Sequence, residues 1–360
     1  MTGQKRVLFA GDTTVDGAVV RTLRGAGSSW ADEVIGGLAP GERAVAALSF
    51  EPDGPGVAHV VSGGTDDRGR EAPSGDDPER SHRIEARPTP EEYAANVRFA
   101  LERIRAGAVQ KVVLGRGLDV FSTPPLEPAA VLGGLLRRRP GRYVFGVPLD
   151  DGPESPQLIG ASPELLVRRT GRDLVSFPLA GSVPRSDDPV RDLERAALLA
   201  ESAKDLAEHA FVVDEIVAML RPHCVRIEAD AAPRVISTDT LHHLGTQIRA
   251  ELADPSSRAL SALHVAQLLQ PTPAVGGVPR RAALDVIARL ESDRGPLTGA
   301  VGWVDADGDG EFAVTIRAGV LEGDRLRLYA GAGIVAGSDP DAEVRETGAK
   351  LATMLGAVGL

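Results

Sequence analysis

Residues 330–350 (AGAGIVAGSDPDAEVRETGAK) set two carboxylates and an ammonium where chemistry could use them. The first half is built of small residues, which let backbone come close to a ligand. Ser338 or Asp339 can cap a helix that takes Pro340 in its first turn. On that helix Glu343, Glu346 and Lys350 recur at spacings of three and four, so they share one face. A second acidic row, Glu201, Asp205 and Glu208, falls in a helical stretch at spacings of four and three. By itself it reads as a solvated face. Two carboxylate rows facing each other are a different matter, because they can hold a hard cation, and an all-oxygen set of few carboxylates favours Mg²⁺.

Two further residues could move protons. Lys111 opens an otherwise apolar strand (KVVLG). It is either a side chain snorkelling from the strand end or a buried amine whose surroundings disfavour its charge, poised as a base. Glu164, in GASPELLV, sits at a tight turn before an apolar strand. It is either a turn carboxylate or an acid kept protonated by apolar neighbours. His242 and His243 are adjacent on a strand and point to opposite faces, so they make poor joint metal ligands.

Other motif-like strings carry less. Residues 305–310 (DADGDG) imitate a calcium loop, but the twelfth position is Ile316 and strands flank it, so a hairpin turn is expected. Residues 331–337 (GAGIVAG) imitate a dinucleotide loop without room for a βαβ unit. Cys224 stands alone, which excludes an internal disulfide and fits a reducing compartment.

These side chains need a scaffold, and 360 residues supply a substantial core. A hydrophobic share of 42% and a charged share of 25% are those of a globular protein. The formal net charge of −11 argues against nonspecific nucleic-acid or anionic-membrane binding. No apolar run approaches the ~20 residues of a membrane span, and a cytoplasmic location is expected. Thr89, Pro90 and Glu92 predict a capped helix with Tyr93, Val97, Leu101 and Ile104 as its apolar stripe. Strands are expected at 43–50, 56–62, 110–114, 142–147, 165–169, 174–177 and 325–330. A hairpin is expected from 299–304 and 311–318, and one long helix over 189–220. Residues 63–80 read as a surface loop, and residues 1–62 look too small and irregular to stand alone. Helices and strands without regular βαβ alternation predict an α+β fold with a large, mostly antiparallel sheet.

Taken in order, several strings resemble the chorismate-utilising enzymes, and within them the isochorismate synthases of siderophore-type pathways. They are KVVLGR at 111–116, LIGASPELL at 158–166, PLAGS at 178–182, SAKDLAEH at 202–209 and HLGT at 243–246. PTPAVGGVP at 271–279, VGW at 301–303, VTIR at 314–317 and the 330–350 segment complete the set, which spans roughly 90–360. The resemblance implies one chorismate-binding domain over 1–360, with Lys111 as base and Glu164 as acid. It implies Glu208 and Glu346 on Mg²⁺, with Asp205 and Glu343 holding the metal's waters. Arg317 and Lys350, with backbone at Gly181 and Gly331, would take the enolpyruvyl carboxylate. His243 would orient the substrate, and Ala274 and Leu297 would line its pocket. A monomer is implied, and no glutaminase partner is expected, since no segment with a nucleophilic cysteine is present. Val344 departs from relatives that carry an aromatic residue there, and it should face away from the metal. Salicylate synthases, which add pyruvate elimination, the aminating relatives, and a non-catalytic chorismate-binding relative are the alternatives. Catecholate siderophore, menaquinone and salicylate routes all begin with isochorismate, so the pathway is not legible.

Overall fold

The computed structural model describes residues 5–62, 80–138, 142–152, 154–254 and 260–357. Most of the 63–80 segment, expected as a surface loop, lies outside these residues. Every strand pairing among them is antiparallel. The pairings form one continuous path. It starts at β5 (Ser81–Arg87), β6 (Lys111–Thr123), β20 (Arg325–Ile334) and β19 (Ala318–Glu322). It continues through β8 (Gln157–Ser162), β7 (Tyr143–Pro148), β1 (Arg6–Ala10) and β2 (Thr14–Ala26). Next come β4 (Pro55–Ser62), β3 (Arg43–Leu48), β17 (Ala300–Asp305) and β18 (Gly310–Val314). The path ends through β9 (Leu165–Thr170), β10 (Asp173–Phe177), β15 (Ile248–Leu252) and β12 (Cys224–Ala229). The short β16 (Gly277–Val278) adds to the start of β6, making seventeen strands. A separate sheet joins β11 (Leu179–Pro184), β14 (Leu241–Gly245) and β13 (Arg234–Ser237).

A twisted sheet of this length cannot stay flat and open. It curls until its ends share one core: Val112 and Leu114 of β6 lie in the same buried cluster as Leu166 and Val167 of β9. Five helices close that core with their apolar faces: α1 (Ser29–Gly36), α2 (Pro90–Arg105), α5 (Ala203–Leu220), α6 (Ala262–Leu269) and α7 (Arg280–Leu290). α3 (Pro128–Arg138) and α8 (Pro340–Ala357) cover a second patch through Val131, Leu135, Leu351 and Met354. α4 (Pro189–Glu201) packs on the small sheet, where Asp192 binds Arg185 and His242.

Several expectations are met locally. The Thr89 hydroxyl accepts from Glu92 N and the Glu92 carboxylate accepts from Thr89 N, a complete capping box. Asp339 caps α8, accepting from Ala342 N at 2.9 Å. The 305–310 string is a turn in which Asp305 Oδ1 accepts from Asp307 N and Asp309 N, both at 3.0 Å. The dinucleotide-like string runs to Ile334 as part of β20.

Other expectations need correction. The helix over 189–220 is two helices, because Ser202 has extended backbone (φ −68°, ψ 109°) and its hydroxyl accepts from Asp205 N to start α5. Glu201 therefore ends a different helix and shares no face with Asp205 and Glu208. The run 311–318 is broken at Thr315 to Arg317, where Arg317 takes φ +50°. The N-terminal residues are internal to the sheet path, and β2, thirteen residues long, had no counterpart in the sequence reading.

Gly277 shows how the scaffold sets the position of Lys111. A Cβ there would lie 2.2 Å from the Lys111 carbonyl oxygen and 2.7 Å from Ala283 Cβ. Neither neighbour is a flexible tip that can move aside. Gly277→Ala should destabilise the fold by roughly 1–3 kcal/mol, read as a lower urea midpoint at unchanged slope. An unchanged midpoint would show that β16 is not held against β6 as described.

Candidate active site

One cavity gathers most of the residues singled out by type and spacing. Glu164, Gly181, Glu208, His243, Ala274, Arg317, Gly331, Glu346 and Lys350 all line it. Lys111, Asp205 and Glu343 stand behind this wall. Leu297 does not line it: the side chain is buried with Val301 and Trp303 and borders the groove on the far side of Tyr329. Thr298, the next residue, reaches the cavity instead, from a left-handed backbone (φ +60°).

Lys111 is 0% exposed, and its Nζ is 3.1 Å from Glu208 Oε1, at an angle that makes no hydrogen bond. Gly333 creates the room for this pair. A Cβ there would fall 2.2 Å from Glu208 Oε1 and 3.0 Å from Lys111 Cε. His209, one residue on, donates or accepts at Thr246 Oγ1 over 2.7 Å. Burial, then the Lys111 charge, pushes it down to about 4, so it is neutral at pH 7.

Glu164 follows the turn after β8 and is 2% exposed. Its own N–H donates to Ser162 Oγ and its carbonyl accepts from Val314 N, which fixes the turn. Burial pushes the carboxyl up to about 8, although the Leu179 N–H, Lys111, Lys350 and Arg317 all oppose that shift. Desolvation outweighs all of these opposing interactions. The group is a protonated acid at neutral pH.

The cationic part of the wall comes from Arg317 and Lys350. Arg317 donates to His243 Nε2 at 2.5 Å, and burial lowers the guanidinium to about 10. His243 is held well below its ordinary range by burial and then by Arg317, so it is neutral with Nε2 as acceptor. Its neighbour His242 points the other way, to Asp192 at 3.0 Å, as the strand alternation predicts. Lys350 Nζ donates to the Gly331 carbonyl at 2.9 Å and to Glu346 Oε1 at 2.7 Å.

Four carboxylates could serve a cation. Glu346 also accepts from Ser182 Oγ at 3.1 Å; burial pushes it up, but Lys350 and Lys204 hold it below the ordinary range. Glu343 is 1% exposed and shifted up, by burial first and by Glu346 second, with Lys204 at 3.1 Å as its partner. Asp205 packs against Gly181, where a Cβ would lie 3.0 Å from Asp205 Cβ. Among the described residues no three acidic, histidine or cysteine side chains converge closely enough to hold an ion in this arrangement. The donor set nonetheless fits Mg²⁺: all ligands are oxygen, and the buried Glu343 and half-buried Glu346 form a like-charge pair that a divalent cation would relieve. Val344, between them, packs into the main core and away from the cavity.

Sequence reasoning missed Ser182, Lys204, Thr298 and Tyr329. Lys204 and Ser182 lie inside matched strings and could have been found by asking what neutralises each carboxylate. Thr298 and Tyr329 carry no local signal.

Comparisons with known proteins give the family and the fold. The family model described as "Chorismate binding enzyme" matches residues 65–359. The chain is 48% identical over 284 residues to a Bacillus subtilis (strain 168) protein named Isochorismate synthase DhbC, covering 78% of this chain and 71% of that one. A crystal structure of DhbC from Bacillus anthracis superposes with a TM-score of 0.91 at 38% identity, covering 100% of this chain and 97% of that one. Anthranilate synthase component I from Streptococcus pneumoniae TIGR4, at 21% identity and a TM-score of 0.73 (98% and 90% covered), shares the fold. With a cavity of this make-up, a family model spanning most of its length and close relatives over three quarters of it, the chain belongs to the chorismate-binding enzyme family.

Proposed function

We propose that this chain is an isochorismate synthase, adding water at C2 of chorismate while the C4 hydroxyl leaves. The observation that carries this reading is the pairing of a buried amine, Lys111, with a buried carboxyl that keeps its proton to about pH 8, Glu164, around one cavity. Lys111, acting as the neutral amine after giving up its proton, takes a proton from the attacking water and Glu164 gives one to the departing hydroxyl, so a water enters and a water leaves. The two groups exchange roles in the reverse direction. Arg317 and Lys350, with backbone at Gly181 and Gly331, bind the enolpyruvyl carboxylate. His243, Ala274 and the apolar wall orient the ring. Glu208 and Glu346, backed by Asp205 and Glu343, would hold Mg²⁺. When bound, the ion neutralises the ring carboxylate and withdraws charge from it. The relatives named isochorismate synthase support the choice over an aminating reaction. The reading includes a monomer in the cytoplasm that works without a glutaminase subunit; no helix among the described residues is long and apolar enough to cross a membrane.

Incubating the protein with chorismate and Mg²⁺ should yield isochorismate without pyruvate. Salicylate with pyruvate would assign the lyase, and no turnover with or without ammonia would leave a binding protein. EDTA should abolish turnover and excess Mg²⁺ restore it.

Lys111→Ala and Glu164→Gln should each lower turnover by ~10²–10⁴ while chorismate binding, followed by calorimetry, stays measurable. Near-normal rates in either variant would sink the acid and base assignment.

Glu164 also predicts two pH effects. The forward rate should fall as pH rises through about 8, where the acid loses its proton. Stability should fall as pH rises from the ordinary 4.5 to about 8 and level off above that, because in this window the unfolded chain has released a proton that the folded chain retains. Glu164→Gln should therefore melt higher than the unsubstituted protein at pH 8, with a smaller gain at pH 5. A gain that is equal at both values would mean the carboxyl is not held protonated by the fold.

A further inference from the structure

Behind the cavity lies a buried charge network that the proposed reaction does not use. Arg294 is 5% exposed, in the connection between α7 and β17. Its Nη2 donates to the Val113 carbonyl and its Nη1 to the Val275 carbonyl, both at 2.9 Å. Nη1 also reaches Thr298 Oγ1 at 3.4 Å. Val113, Val275 and Thr298 are three separate parts of the cavity wall. One guanidinium thus ties together the strand carrying Lys111, the loop before β16 and a residue in strained backbone.

The guanidinium is itself fixed. Glu291 accepts from Arg294 Nε at 2.8 Å and from Nη2 at 2.9 Å, a bidentate pair with both side chains buried. The same carboxylate accepts from Gly115 N at 2.9 Å and from Tyr329 Oη at 2.5 Å. The ring of Tyr329, which lines the cavity, lies under the guanidinium at 5.0 Å, with Phe50 at 4.2 Å. Gly115 admits that ring, since a Cβ there would fall 2.1 Å from Tyr329 Oη. β6 is therefore gripped at Val113 and Gly115, two and four residues from Lys111. All three positions share one face of the strand.

We propose that Arg294, held by Glu291 and Tyr329, is a positioning residue for the isomerisation: it fixes the Lys111 strand against the neighbouring wall segments at Val275 and Thr298. This rests on the reaction proposed above. A buried ion pair is weak evidence of stabilisation, since desolvation offsets much of its attraction. The cluster is better explained by geometry. Its donors go to the backbone carbonyls of two wall segments and the hydroxyl of a third, and a planar fork can bridge them where an ammonium cannot.

The test compares Arg294→Lys and Tyr329→Phe with Arg169→Lys, a buried arginine of β9 whose Nη1 donates to the Asp307 carbonyl at the hairpin turn. All are assayed well below their melting temperatures. Arg294→Lys should lower kcat by about tenfold to a hundredfold, with KM changed less than about threefold, as expected for misplacement by a fraction of an ångström. Tyr329→Phe should lower kcat in the same pattern to a smaller extent. Arg169→Lys should lower the melting temperature and leave kcat unchanged. If Arg294→Lys loses melting temperature but keeps kcat, or if KM carries the whole loss, the proposal is overturned. Should Arg294→Lys fail to fold, the result for Tyr329→Phe decides. If the unsubstituted protein turns over no chorismate, the reaction is what fails. The clamp is then judged by amide hydrogen exchange, which should be faster at Val113 to Gly115 and at 272–276 in Tyr329→Phe, and unchanged exchange there overturns it.

Discussion

The arrangement depends on burying Lys111 beside Glu208. Taking two charges out of water costs several kcal/mol per ion, and their attraction returns this only if the surroundings leave each group where the other can reach it. Here that requires the open space over Gly333, where any side chain would strike the carboxylate. It also requires a straight β6, because the lysine opens that strand and has no other freedom of position. The curled sheet, the short β16 pressed on β6, and α5 presenting Glu208 are the means by which this pair is held. Because the pair is buried, the Lys111 charge also reaches Glu164 and His209 across a poorly screened interior.

Two carboxylates of the cavity wall, the buried Glu164 and the half-buried Glu346, have opposite fates. Glu164 is pushed up to about 8, and Glu346 is shifted down. The difference lies in direct donors. Glu346 has the Lys350 ammonium at 2.7 Å and the Ser182 hydroxyl at 3.1 Å, whereas Glu164 has one backbone N–H and only more distant cations. Desolvation keeps Glu164 neutral, and direct donors with partial exposure keep Glu346 charged. One carboxylate is thereby suited to bind a cation and the other to deliver a proton. Glu343 stands between these cases: Lys204 neutralises it, while burial and Glu346 push it upward.

What was legible in the chain follows from the range of the interactions. The Thr89 capping box, the turn at 305–310 and the opposed directions of His242 and His243 involve partners within a few residues, and local reading found them. The α+β class with a mostly antiparallel sheet was also legible, because it needs only the character of the elements. The break at Ser202 was not. A serine inside an apolar-periodic stretch resembles a helix interior until its hydroxyl is seen capping Asp205 N. The long β2 was hidden because its alternation is weak and its partners, β1 and β4, gain meaning only once paired. Arg294 and Glu291 touch residues 176 to 181 positions away, so nothing near them in sequence marks their surroundings. Leu297 was placed one residue off: the left-handed backbone at Thr298 turns the threonine toward the cavity and leaves the leucine in the core.

The glycines of β20 looked like a floor smoothed for a ligand. In the folded chain much of that space is filled by the protein itself. Gly333 makes way for Glu208 and Lys111, and Gly331 faces the Val113 side chain, where a Cβ would lie 3.0 Å away. Across the pairing, Gly115 on β6 makes way for Tyr329 of β20. Glycine serves here to bring charged and aromatic side chains through the sheet surface, so that a strand with little chemistry of its own can be crossed by groups that have it. The Gly331 carbonyl is itself taken by the Lys350 ammonium at 2.9 Å. Absent side chains in a sequence therefore indicate where other side chains must pass, and the residues to look for are those large enough to fill the gap.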